Sequence, residues 1–393
     1  MSQGTTDGRL LTAEDLDRER QEEAKTLARL RHRLMAVELA AGACFGVALI
    51  LGGAAQVMKE LVVTWTSRPT LVVAGYFFLL TVAYGILSFP LEYYGGFRLP
   101  HRYGLSNQTL REWLADEAKG GLLTLALGLV VVEVVYFLLR TCPDWWWLVT
   151  GGFMLVFGVI LANLAPVVFV PLFYKLKPLE DEGLETRLKE LASRARASVR
   201  GVYTIDLSTK TKAGNAMLMG LGNTRRVVLG DTLLDEYQPE EIETIMAHEL
   251  GHQAGHDLWW GLLSQSLLSL GGLCAANVAL RWGIRELGYS GLDDVAAMPF
   301  LALVIGAFLA VVTPLANAFS RWREGKADEY ALRIAGKPRA FVSAMVRLAN
   351  QNLAEVDPEP WVEVLLYSHP ALEKRIRRGQ KAVEEAKAAG MWA

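Results

Sequence analysis

Residues 145–174 read WWWLVTGGFMLVFGVILANLAPVVFVPLFY, thirty positions without a single charged side chain. Crossing the hydrocarbon of a bilayer takes about 20 predominantly apolar residues, and buried helices of soluble proteins seldom run this long without a charge. Five further stretches meet the length criterion, at 39–58, 69–91, 120–139, 258–280 and 295–320. Four of these also lack charges, and 120–139 carries only Glu133. The composition agrees, with 52% hydrophobic and 21% charged residues over 393 positions. The expectation is a mainly α, polytopic membrane protein with six spans.

Charges between the spans set an orientation, because short cytoplasmic loops collect Lys and Arg. With the N-terminus inside, that side receives Lys25, Arg29, Arg31 and Arg33, then Arg98, Arg102, Arg111 and Lys119, the whole of 175–257 and the basic C-terminus. The opposite side holds only Lys59, Arg68, Arg140, Arg281 and Arg285. The opening 38 residues are polar and rich in Arg and Glu, so no cleavable signal peptide is expected at the start. A net charge of −2 gives no reason to expect nucleic acid as a partner. Cys44, Cys142 and Cys274 lie in or beside apolar stretches without CxxC spacing, so they read as small core residues, and neither a disulfide framework nor a Cys-based metal site is expected.

The expected organisation is a cytoplasmic segment 1–38, spans one to four over 39–174, a cytoplasmic region 175–257, spans five and six over 258–320, and a cytoplasmic helical region 321–393. Region 175–257 begins with an amphipathic helix (Leu184, Leu188, Leu191, Ala192, Ala195) that Gly201 ends. Strand-like runs follow at 202–207, 216–219 and 226–229, punctuated by Gly214, Gly220, Gly222 and Asn223. They predict a small sheet with an exposed edge. A second helix is expected to start near Pro239, with Glu240 and Glu241 suiting its positive end.

That helix carries Met246-Ala-His-Glu-Leu-Gly-His252. His248 and His252, four apart, share one helical face and can bind one metal, while Glu249 can reach water on that metal without being a ligand. Two histidines leave zinc short of a ligand, and a catalytic site needs a third with one position left open. His256 lies about 12 Å along the axis and ~80° round from His248 and cannot join the same metal on an unbroken helix. A metzincin-type third histidine would fall at Leu258 and is excluded. Glu324, in Ser320-Arg-Trp-Arg-Glu-Gly-Lys-Ala-Asp328, is the better candidate: it follows span six as His252 precedes span five, so a hairpin of these spans brings the two together. Asp328, a turn further, can accept a hydrogen bond from a ligand histidine. The competing reading is a juxtamembrane charge cluster in which Arg321 and Arg323 merely mark the inside end.

HELGH at 248–252, Glu324 with Asp328, and Ser368-His-Pro370 with Arg375 together resemble the type I CAAX prenyl protease family of integral-membrane zinc metalloproteases. Gly104-Leu-Ser-Asn-Gln108, Ala165-Pro-Val, Pro171-Leu-Phe-Tyr-Lys175 and Asn215-Ala216 add to the resemblance, which runs from about residue 90 to 380 in the family order. It implies a helical transmembrane barrel around a chamber, with a small α+β gluzincin-like protease domain and one Zn²⁺ per chain. His248, His252 and Glu324 would then be the metal ligands and Glu249 the catalytic base and acid. Asn215 would hold the substrate backbone, against the plainer reading of a turn residue. His369 would stabilise the oxyanion, against that of a helix cap. Arg375 would bind substrate or pair with a carboxylate. Six spans are counted where eukaryotic members have seven, the missing one falling before the second span. The implied substrates are prenylated or other membrane-associated peptides, and a bacterial inner-membrane location with the site on the cytoplasmic face is expected. Two other readings compete: a membrane quality-control metalloprotease, and a zinc-stabilised scaffold or transporter. An intact Glu249, which has no ligand role, argues against the second of these.

Overall fold

The computed structural model describes residues 9–197, 199–220 and 226–390. Among the described residues, six helices are long and apolar enough to cross a membrane: Arg18–Leu51, Pro69–Arg102, Leu110–Thr141, Trp146–Phe173, Asp257–Glu286 and Val295–Ala335. They close into a ring. The first packs against the second and the sixth, and the second to sixth follow one another round. No more than a third of the most apolar stretch of any span is buried. Helices packed around a solid core would bury far more, so the spans form the wall of a barrel around a chamber. Six spans suffice to close it.

The run 39–58 is not one span. The first helix begins at Arg18 and stops at Leu51. Gly53, in the left-handed region at φ 71°, then turns the chain into a separate helix, Ala54–Trp65. This short helix lies against the first two spans and the start of the sixth, where Lys59 pairs with the buried Asp294 at 2.9 Å. The second span continues through a π turn at 93–98 to Arg102. The sixth runs without a break from the apolar region to Ala335, so Glu324 and Asp328 are carried on the span helix itself.

Outside the barrel, β1 (Leu176–Pro178), β2 (Val202–Ile205), β3 (Ala216–Met219) and β4 (Arg226–Gly230) form a sheet in the order β1-β2-β4-β3. β2 and β4 are parallel, and the outer strands are antiparallel to their neighbours, leaving β3 as an edge. β1 was not foreseen, since Pro178 masks it, but an edge strand tolerates proline. The expected glycine stop of the amphipathic helix is also displaced: Glu182–Arg194 ends just before Arg196, which takes the left-handed conformation five residues before Gly201. Gly222 and Asn223 lie outside the described residues.

Helix Pro239–Ala254 opens with proline at its first position and a Gln238–Glu241 capping box. Leu188, Leu191, Val227, Ile242, Met246 and Phe341 join it, the sheet and the C-terminal helices in one core. Glu241 is fully buried there, its carboxylate held by Arg347 Nε at 3.0 and 3.2 Å and by the Ser343 hydroxyl.

Candidate metal centre

The centre forms where helix Pro239–Ala254 crosses the sixth span helix. Their backbones meet at Gly251: a Cβ there would stand 2.9 Å from the Ala327 Cα and 3.0 Å from its carbonyl oxygen. The glycine of HELGH therefore sets the approach that brings the histidines to Glu324.

His248 Nε2 lies 3.2 Å from His252 Nε2 and 3.2 Å from Glu324 Oε2, and His252 Nε2 lies 3.4 Å from Glu324 Oε1. The edge of a tetrahedron with bonds of ~2.0 Å is about 3.3 Å, so these donors are spaced as three corners of a zinc site. The remaining ring nitrogens explain why. His248 Nδ1 sits 3.0 Å from Asp328 Oδ1, and His252 Nδ1 sits 2.6 Å from Asp257 Oδ2. Carboxylates there select the Nδ1–H tautomers, so both Nε2 lone pairs face each other and the Glu324 carboxylate. Three acceptors converge without a proton between them, and buried Glu324 Oε2 lacks a hydrogen-bond partner. A cation resolves both problems. The residues present fit a divalent metal of zinc type.

Each histidine-orienting carboxylate is anchored in turn. Asp328 receives Arg375 through Nε at 3.0 Å and Nη2 at 2.6 Å, and Arg378 Nη1 at 2.9 Å. Asp257 is bound by Arg323, which also donates to the Gly255 carbonyl. Of the two readings of Arg375, the structure displays the pairing with a carboxylate: the side chain is buried behind His248. Asp257, Arg323 and Arg378 were missed in the sequence. Arg323 had been weighed only as a marker of the span end. Asp257 reaches back to His252 because the HExxH helix does not run straight into span five: it stops at Ala254, and His256 turns the chain at φ 57°. Helical periodicity gives no sign of that break, and the histidine at it lies outside the donor cluster.

Glu249 borders a cavity of about 320 Å³ together with His252, Leu218, Met219, Ala165 and Pro166. Burial pushes its carboxyl above the usual range, and the neighbouring histidines oppose the shift. The cavity thus lies between the HExxH helix, edge strand β3 and the π turn Ala165–Phe169 of the fourth span. His369 Nε2 stands 3.3 Å from Glu324 Oε1, so the Ser-His-Pro motif joins the same site. Asn215 is exposed just before β3, its carbonyl accepting from Gly230 N–H at 2.8 Å. It precedes the strand by one residue, at the end away from Leu218 and Met219, which line the cavity. The Gly104–Gln108 motif braces that strand's approach: Leu105 O accepts from Lys212 N–H at 3.1 Å, and Asn107 Nδ2 donates to Ser208 O at 2.9 Å.

Residues 178–383, about half of the chain, match the family model of peptidase family M48. The chain belongs to that family. Residues 11–175 match the CAAX prenyl protease N-terminal model with its five membrane helices. An uncharacterized metalloprotease of Bacillus subtilis, YhfN, is 30% identical over 85% of this chain and 79% of its own length. A CAAX prenyl protease 1 homolog of Arabidopsis thaliana is 28% identical over 74% of this chain and 69% of its own. The crystal structure of S. mikatae Ste24p superposes with a TM-score of 0.85 at 22% identity, over 95% of this chain and 92% of that one, and so shares the fold. The protein is thus a multi-pass membrane M48 metallopeptidase of the CAAX prenyl protease type.

Proposed function

We propose that this M48 peptidase is a zinc endopeptidase acting on prenylated CAAX-type or other membrane-associated peptides. The observation that carries this reading is the convergence of three metal-type donors beside a base, at the mouth of a membrane barrel. His248, His252 and Glu324 hold the metal, which when bound lowers the pKa of water and polarises the scissile carbonyl. Glu249 accepts the proton of the attacking water and delivers it to the leaving amine. Asn215 and the free edge of β3 hold the substrate backbone as an added strand. His369 donates to the developing oxyanion. Arg375, Arg378 and Arg323 act through Asp328 and Asp257, fixing the two histidine rings. Purified protein incubated with a prenylated CAAX peptide and its unprenylated twin, read by mass spectrometry, tests the function. Cleavage of neither would sink it.

His369→Ala should lower kcat on the order of 10²-fold, the usual cost of one oxyanion donor, with zinc content unchanged. An unaltered kcat would leave His369 a helix cap. Asp257→Asn should weaken zinc binding by ~10–100-fold in a chelator competition, as loss of a ligand-orienting carboxylate does elsewhere. Wild-type affinity in that variant would dismiss the proposed role of Asp257.

The metal end of the barrel is assigned to the cytoplasmic side of a bacterial inner membrane, because the basic loops gather there. In a background lacking the three native cysteines, Lys59→Cys should label from outside intact cells and Lys177→Cys should not. Outside labelling of Lys177→Cys would invert the topology.

A further inference from the structure

The short helix Pro360–Leu366 wears its polarity the wrong way round for a water-exposed element. Val362 and Glu363 are buried, with Glu363 receiving Lys374 at 2.5 Å and Ala371 N–H at 3.1 Å. Trp361, Val364 and Leu365, one turn of the opposite face, are 58%, 52% and 42% exposed. The sixth span holds this helix: Asn317 Nδ2 donates to Leu365 O at 2.9 Å, and Arg321 Nη1 donates to Glu363 O at 2.9 Å and Tyr367 O at 2.5 Å.

Asn317, Arg321, Glu324 and Asp328 follow the spacing i, i+4, i+7, i+11 and lie along one helical face. Glu324 and Asp328 turn that face to the metal centre. The short helix is therefore fastened to the metal-bearing face of the span at Asn317 and Arg321, one to two turns (~5–10 Å) from Glu324 toward the apolar part of the span. A different stripe of the same span, Val311, Leu315 and Trp322, is exposed at 74%, 72% and 54%. Three residues separate Leu365 from His369, which touches Glu324.

We propose that Trp361, Val364 and Leu365 form the subsite for the apolar tail of the substrate, inside the barrel mouth below the scissile bond. This inference rests on the reading of the chain as a peptidase of membrane-associated peptides and names the part of the substrate held at this position. An apolar face at the chamber mouth is costly unless covered. Its occupant must reach the metal with one part and bilayer depth with another, which a peptide with an isoprenoid-like chain does and a bilayer lipid does not.

Two measurements on the full chain in lipid vesicles decide it. Glu249→Gln protein is mixed with a peptide whose cysteine carries an isoprenoid-like chain ending in a diazirine, irradiated and digested. Adducts on 360–366 are the expected result. Adducts confined to other segments, such as the Val311–Leu315 stripe, would place the tail elsewhere and overturn the proposal. Separately, the Val364→Ser, Leu365→Ser double variant should reduce the ratio of kcat/KM for tailed over untailed peptide by ~10-fold or more. An unchanged ratio would overturn it as well. If the wild type cleaves neither peptide but the adducts still map to 360–366, the peptidase reading fails while the subsite stands.

Discussion

Glu249→Gln should retain stoichiometric zinc and lose hydrolysis by ~10⁴-fold, the upper end of what a general base supplies. The substitution changes no metal donor, because the cluster of His248, His252 and Glu324 is complete without it. Nor does it empty volume, since Gln fills the same space at the cavity wall. What disappears is the only group the HExxH helix offers there that can take a proton from water and return it to the amine. The measurement is metal content by atomic emission alongside cleavage of a membrane-associated peptide followed by mass spectrometry. Retained activity would move the base elsewhere, and lost zinc would make Glu249 a ligand. The same variant separates the peptidase reading from a zinc-stabilised scaffold, in which Glu249→Gln would change nothing measurable.

The parts of the fold that sequence made legible are those governed by local rules. Length and apolarity located six membrane helices, and the i, i+4 spacing of His248 and His252 put two donors on one face. Glu324 comes within 3.2–3.4 Å of the two histidines because the helices that carry them return to the same end of the barrel. Local rules failed where a tertiary contact decided the outcome. The run 39–58 is uniformly apolar, so hydropathy could not reveal that Gly53 folds it into two helices. The bend at His256 has no turn signature of its own, since a non-glycine residue adopts φ 57° there. It persists because Arg323 ties Asp257 to the end of the sixth span. Arg375 shows the same limit: burial and partner, not residue type, distinguish a residue that grips substrate from one that braces Asp328. The cysteines differ from their reading as core residues: Cys44 and Cys274 are exposed on their spans, because an apolar stretch in a membrane helix need not face the protein interior.

Glu324→Ala should remove zinc under conditions where the wild type stays loaded. Structural zinc sites bind with about 10–16 kcal/mol, so losing one of three protein donors costs on the order of 3–5 kcal/mol, or 10²–10⁴-fold in affinity. The zinc response of stability is the more telling part. Glu324 Oε2 stands 3.2 Å from His248 Nε2 and Oε1 3.3 Å from His369 Nε2, so each protein's own zinc-free melting temperature is the reference for its response. Added zinc should then raise the melting temperature of the wild type and leave that of the variant almost unmoved, because ligand binding stabilises by mass action only where the affinity survives. A purely structural carboxylate would behave in the opposite way, with the zinc response preserved. Differential scanning fluorimetry with and without zinc distinguishes the two, and it does so without any substrate. If the zinc-dependent shift persists in Glu324→Ala, the third ligand lies elsewhere and the convergence of the donors on Glu324 has been misread.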